Sequence, residues 1–195
     1  MGSDFGVYST AVNMINDWKR ALGSRQTGRI ETIAIRRWSP PTKGWLKVNI
    51  DAAVFAGNGN VGVSSVIRNE AGEFVRARAR RITAHVQPRE AEAIGMKEAL
   101  AWIKDLGLKN CIVETDFKLL ADACNGVEGR SYFHTIVLDC IHMIKHLDEV
   151  LVQFVHRSVN EVAHTLARAT HSMSGFREWS VAPDLISDVL INDLS

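Results

Sequence analysis

Residues 45–83 read as three runs of strand period separated by two clusters that turn the chain back, and this pattern leaves few folds open. In the first run Val48 and Ile50 alternate with Lys47, Asn49 and Asp51, the period of a strand with one face on a core. Gly57-Asn58-Gly59-Asn60 is dense in residues that tolerate positive φ, and residues 61–68 resume a strand. Asn69-Glu70-Ala71-Gly72 turns the chain again, into a third strand over 74–83. Three strands joined by such tight turns make an antiparallel meander.

The period then changes. Pro88 suits a helical first turn, and residues 88–103 have helical composition and spacing, with Gly107 as the stop. Small Ala91, Gly95 and Ala99 at every fourth position let this helix approach a sheet closely. Residues 111–116 form a short apolar run ending in a carboxylate. A strand reached through a helix should lie parallel in the same sheet, joined by a right-handed crossover. Two more helices, through Leu119, Leu120 and Ala123 and over 132–146, lead to a last strand at 150–155. A final helix starts at Ser158 or Asn160, with Val162, Ala163, Leu166 and Ala167 inward. The expected architecture is α/β: a five-stranded mixed sheet, three antiparallel strands then two parallel, flanked by helices over residues 38–172. Residues 1–37 are expected to be a peripheral helix and basic linker, and 173–195 a short amphipathic tail.

With 195 residues, 46% of them apolar and 23% charged, the chain can bury one ordinary core. A net charge of +1 gives no global attraction to nucleic acid or membrane, so a polyanion must be met by a local patch. Residues 1–43 supply one, with Lys19, Arg20, Arg25, Arg29, Arg36, Arg37 and Lys43 against Asp4, Asp17 and Glu31. Cys111, Cys124 and Cys140 are odd in number and lack CxxC spacing, which argues against a disulfide framework and a zinc ribbon. No apolar run approaches the roughly 18 residues of a membrane span. Met1-Gly2-Ser3-Asp4 begins no hydrophobic signal segment. A soluble intracellular monomer, in nucleus or cytoplasm, is expected.

Carboxylates mark the ends of the first and fourth strands. Asp51 closes the first, on the face opposite Val48 and Ile50, and Asp116 emerges at the carboxyl end of the fourth. Singly each has a plain role: Asp51 can open a turn, Asp116 can cap a helix, and Glu92 can complement the dipole of a first helical turn. The two strands should be adjacent, however, which sets Asp51 beside Asp116 with Glu92 arriving from the crossover helix. Three carboxylates in one small volume repel one another unless a cation compensates them. Hard oxygen ligands in that number select Mg²⁺ or Mn²⁺ over zinc. Arg76, Arg78 and Arg80 share one face of the third strand, either to meet phosphates or to keep an outer face solvated. His142 and His146, four apart, lack the glutamate of HExxH and read as a solvated face.

At these residues the sequence resembles the type 1 ribonuclease H family, most closely the plant ribonuclease H-like domains related to retrotransposon reverse transcriptases. The resemblance covers about residues 38–170. It rests on Gly44-Trp45-Leu46-Lys47-Val48-Asn49-Ile50-Asp51, Arg89-Glu90-Ala91-Glu92 with Ala99-Leu100, Val113-Glu114-Thr115-Asp116, and Asn160-Glu161-Val162-Ala163-His164-Thr165-Leu166-Ala167-Arg168. It implies two-metal hydrolysis of the RNA strand of an RNA–DNA hybrid, one ion activating the attacking water and the other stabilising the leaving 3′ oxygen. By matching position Asp51 would bridge the ions, while Glu92 and Asp116 complete their coordination.

His164 stands where the family has a fourth acid. Imidazole is a poorer Mg²⁺ ligand than carboxylate, so activity below the family norm is implied. Ala52, Ala53, Arg89, Lys118, Arg157 and Asn160 are the positions the resemblance sets against nucleic acid. Of these, Arg157 replaces the family's mobile histidine, and Pro88 and Arg89 replace its paired asparagines; Phe117 follows Asp116 where a small polar residue is common. Two functions are compatible with this pattern. One is a Mg²⁺- or Mn²⁺-dependent hybrid endonuclease, and the other a nucleic-acid-binding or partner-binding module of retrotransposon origin that kept the fold and lost the chemistry.

Overall fold

A computed structural model describes residues 37–55, 57, 59–125 and 132–194; the helix expected over 10–22 and the linker after it lie outside them. Strand β1 (Leu46–Phe55) pairs antiparallel with β2 (Asn60–Arg68), and β2 with β3 (Phe74–Thr83), which is the expected meander. Helix α1 (Pro88–Asp105) crosses over to β4 (Cys111–Thr115), which lies parallel to β1. Helices α2 (Lys118–Cys124) and α3 (Tyr132–Ile144) then lead to β5 (Val150–Phe154), parallel to β4. A 3₁₀ turn at Arg157–Val159 feeds α4 (Glu161–Ala169).

The sheet has six strands rather than five, in the order β5-β4-β1-β2-β3-β6. The extra strand, β6 (Phe176–Trp179), pairs antiparallel with β3 from Ala77↔Trp179 to Arg80↔Phe176. Gly175, at φ 70°, makes the turn into it, and its carbonyl accepts the Arg81 N–H at 3.0 Å. Four residues are too few to display an alternation, so Phe176-Arg177-Glu178-Trp179 reads as tail until its partner strand is known. Helix α5 (Asp184–Asp193) follows and buries Ile186 against Val66, Ala77, Ala79, Val162 and Leu166.

Both faces of the sheet are therefore covered. On one, Val48, Ile50 and Ile67 pack against Met96, Leu100 and Ile103 of α1 and against Leu120 and Phe133 beyond it. On the other, α4 presses so closely on β2 that a Cβ at Gly62 would overlap the Thr170 hydroxyl and the Ala167 carbonyl. The Ser64 hydroxyl donates to the Ala163 carbonyl across the same seam, at 2.7 Å. Helix α1 starts where Pro88 suggests, with the Glu90 carboxylate accepting the Gln87 N–H at 2.8 Å, and Gly107 at φ 62° ends it. None of the described helices is long and apolar enough to cross a membrane.

Candidate active site

Three elements converge where β4 stops. Parallel pairing of β1 with β4 ends at Asn49↔Glu114, and Asp116 follows the last residue of β4 directly. Asp51 lies two residues beyond that last pair, on the stretch of β1 held by β2 alone, opposite Ser64. It thus sits mid-strand and not, as expected, at the end of β1: Ala52-Ala53-Val54-Phe55 continue the ladder with β2 as far as Phe55↔Asn60. The strand that ends here is β4. From the opposite face α1 delivers Glu92 just past its first turn, whose acidic residue is Glu90, and Gly95 one turn on leaves only van der Waals room beside the Asp51 carbonyl.

Asp51, Glu92 and Asp116 each place a carboxylate oxygen within 4.8 Å of the other two. That proximity, in a partly dry pocket, penalises ionisation. Burial, then the neighbouring charges of Asp51 and Asp116, raise the Glu92 pKa to about 9, although the Ala52 N–H bonds the carboxylate. Burial also raises Asp51 to about 6, opposed chiefly by a hydrogen bond from His164. One oxygen of Glu92, Oε2, is buried without any hydrogen-bond partner. A buried acceptor left bare is rare, and beside two further carboxylates a hard divalent cation is the partner that satisfies it. The donor set fits Mg²⁺ or Mn²⁺.

His164 joins the group from α4. Its Nδ1 lies 2.9 Å from Asp51 Oδ2, and Arg157 Nη2, from the 3₁₀ turn, lies 2.7 Å from Nε2 and 3.1 Å from Nδ1. The guanidinium thus lies against the ring near both of its nitrogens, and the imidazole stands between it and the Asp51 carboxylate.

Beneath Asp51 lies a buried polar layer that pattern reading missed. Glu114 accepts from Lys47 Nζ at 2.7 Å on one oxygen, and from Trp38 Nε1 at 2.9 Å and Asn49 Nδ2 at 2.8 Å on the other. Arg68, fully buried, donates to Asn49 Oδ1 at 2.8 Å and to Asp193 at the end of α5 at 2.7 Å, its Cζ 3.3 Å from the Trp38 ring centroid. Asn160 receives Asn49 Nδ2 at 3.1 Å and donates to the Ile50 carbonyl at 2.8 Å. Apart from Arg68 Nε, which is buried without a hydrogen-bond partner, these polar atoms are paired, and the layer fixes β1 on the face that carries Asp51. A signal existed: Glu114 interrupts an apolar strand, and Asn49 shares the Asp51 face.

The other anticipated positions divide. Asn160 is fully buried and holds β1, its side chain facing the interior. Ala52 and Ala53 flank Asp51 half-buried. Arg89 is exposed in the first turn of α1, and Lys118 opens α2 two residues after Asp116, paired with Asp122 at 2.7 Å. Of the β3 arginines Arg76 and Arg80 are exposed and Arg78 half-buried, and each is paired with a carboxylate: Arg78 and Arg80 bond Glu98 of α1, at 2.7 and 3.3 Å, and Arg76 bonds Glu178 of β6 at 2.9 Å.

Comparison with known proteins agrees with this geometry. An Arabidopsis thaliana protein whose name assigns it provisionally to ribonuclease H is 25% identical over 158 residues, which are 80% of this chain but 25% of that protein. The chain thus spans about a quarter of the length of the curated relative it matches. Among solved structures, RNase H1 of the halophilic archaeon Halobacterium salinarum superposes with a TM-score of 0.61 at 20% identity, covering 67% of this chain and all of that one. LC11-RNase H1, solved in complex with an RNA/DNA hybrid, gives 0.57 at 17% identity over 64% of this chain and 94% of its own. At such identities the structures establish the ribonuclease H fold and no more. The sequence model of the family described as reverse transcriptase-like matches residues 49–170, a span that holds all three carboxylates, His164 and Arg157, and the chain belongs to that family.

Proposed function

We propose that this chain is a divalent-metal-dependent ribonuclease that cuts the RNA strand of RNA–DNA hybrids, with activity lowered by the replacement of a fourth carboxylate by His164. The observation that carries the reading is the bare, buried Oε2 of Glu92 within a triad of carboxylates whose oxygens lie within 4.8 Å of one another. Asp51, Glu92 and Asp116 would hold Mg²⁺ or Mn²⁺. Bound there, such an ion supplies Lewis-acid stabilisation of a phosphoryl oxygen and acidifies a water.

The protein's own contribution is position. The Asn49, Glu114 and Asn160 layer clamps β1, so the Asp51 carboxylate is presented without a search of backbone conformations. Two ions shared by Asp51 are what the family resemblance implies, yet Asp51 Oδ2 is already engaged by His164. Exposed Arg89 and Lys118, on the first turns of α1 and α2, are suited to phosphates on either side of the acids. The hybrid-bound LC11 relative and the Arabidopsis protein's name favour hybrid as substrate, and the reverse transcriptase-like family a retrotransposon-derived lineage.

The test is cleavage of an end-labelled hybrid with Mg²⁺ or Mn²⁺, compared with the same RNA in a duplex with RNA. Metal-dependent cutting of hybrid only, abolished by Asp51→Asn, is the expected result. Hybrid binding that persists in EDTA, with no product at high protein in Mn²⁺, would instead make the chain a binding module.

A further inference from the structure

The stripe of α4 that reaches Asp51 continues past it. His164, Arg168 and His171 recur at the i, i+4, i+7 spacing that keeps side chains on one side of a helix, the last of them in a 3₁₀ turn that prolongs α4. His164 meets Asp51, and seven residues on His171 meets Phe55, the ring centroids 4.9 Å apart and the planes tilted by 59°. Asp51, Ala53 and Phe55 point to one face of β1, so helix and strand run out of the site together. At about 1.5 Å per helical residue and about 3.3 Å per strand residue, the aromatic pair lies about 10–13 Å from Asp51. That is about three to four steps of a stacked strand at about 3.4 Å each.

The cations beside this pair are free of acids. Arg68, Arg76, Arg78 and Arg80 each hold a carboxylate, but exposed Arg81, Arg168 and Arg177 pair with none among the described residues. Arg81 Nη1 donates to the His171 carbonyl at 3.1 Å, which sets its guanidinium against the pair. Arg177, opposite Ala79 on β6, lies diagonally beside Arg81 on the same face, and Arg168 stands one turn before His171, toward the carboxylates. The support is firm, because α4 is pressed on β2 at Gly62 beside Thr170.

Phe55, half-buried, braces the exposed His171 ring. An aromatic face among unpaired arginines matches the two chemistries of an unpaired nucleic-acid strand, its bases and its phosphates. A duplex offers the phosphates but keeps its base faces stacked. We infer that His171, backed by Phe55 and flanked by Arg81, Arg168 and Arg177, is a stacking platform for a single strand of nucleic acid that runs to or from the carboxylates. As an extension of a nuclease site the platform rests on the function proposed above; as a binding surface it does not.

Fluorescence anisotropy of short labelled single strands, one of uridylate and one of thymidylate, tests this on the full chain in EDTA, where no metal bridges phosphate to the carboxylates. Wild type should bind at least one of them, and the preferred strand shows whether the platform takes RNA or DNA. His171→Ala should weaken that binding at least about fivefold, the least that a stacked base contributes, and His171→Phe should keep it. Arg81→Gln combined with Arg168→Gln should lower the slope of log affinity against log salt by about 1.4, the share of two phosphate contacts. No binding by wild type overturns the inference, and so does an unchanged affinity in His171→Ala, an equal loss in His171→Phe, or an unchanged salt slope. Metal-dependent hybrid cleavage without single-strand binding overturns this inference alone. Single-strand binding at the platform without hybrid cleavage overturns the ribonuclease and leaves the platform standing.

Discussion

Glu92→Gln should stabilise the metal-free protein while destroying the metal centre. The Glu92 pKa is raised from 4.5 to about 9, chiefly by burial and then by Asp51 and Asp116. A carboxyl raised in the folded state contributes its full stability below its unfolded pKa and loses it as pH climbs toward the folded one. At pH 7 without metal, folding must therefore load a proton onto Glu92. Each pH unit above 4.5 costs about 1.36 kcal/mol, so the penalty at pH 7 is about 3 kcal/mol. Glutamine has the shape of the neutral acid, can accept the Ala52 N–H, and takes up no proton. In EDTA, Glu92→Gln should raise the urea midpoint at pH 7 by about 1–3 M for a slope of 1–3 kcal/mol/M. The gap should close near pH 4.5 and widen toward pH 9. Added Mn²⁺ should stabilise wild type and not the variant. A gap in EDTA that does not change with pH would refute the burial and repulsion argument, because a simple packing effect is not titrated.

Three further outcomes follow from the same geometry. Asp193→Ala strips the buried Arg68 guanidinium of its carboxylate and should cost about 3 kcal/mol in chemical unfolding, despite its place near the end of the chain. Gly62→Ala should destabilise by about 1–3 kcal/mol, since α4 must move off β2 to admit the methyl, and Thr170→Ala in the same chain should recover part of the loss. His164→Asp should raise Mg²⁺-supported hybrid cleavage, more so with Arg157→Ala; an unchanged rate in both would remove the fourth position from the account of weak activity.

What could be read from the sequence follows from the range of the forces involved. The meander and α1 are set by neighbours in the chain, through turn residues, proline and spacing, so residues 45–103 show them directly. The meeting of Asp51, Glu92 and Asp116 is long-range, yet a strand reached through a helix joins the same sheet in parallel, which puts the carboxyl end of β4 level with Asp51 of β1. No comparable rule exists for what covers a face. Alternation marks Lys47, Asn49 and Asp51 as the side of β1 away from Val48 and Ile50, but whether that side meets water depends on α4 and α5, more than a hundred residues on.

Because those helices do cover it, Lys47, Asn49 and Arg68 need partners inside the protein, and they find them in Glu114, Asn160 and Asp193, up to 125 residues away. A polar residue on a supposedly wet face carries no warning that it is buried. The same reasoning bears on the β3 arginines, of which Arg78 is drawn in by Glu98 of α1 while Arg76 and Arg80 stay exposed. It also explains why Asp51 is effective in the middle of a strand. Asn49, two residues earlier on the same face, is tied to Glu114, Arg68 and Asn160, so the backbone that carries Asp51 is pinned from beneath by the residues the alternation alone would have assigned to solvent.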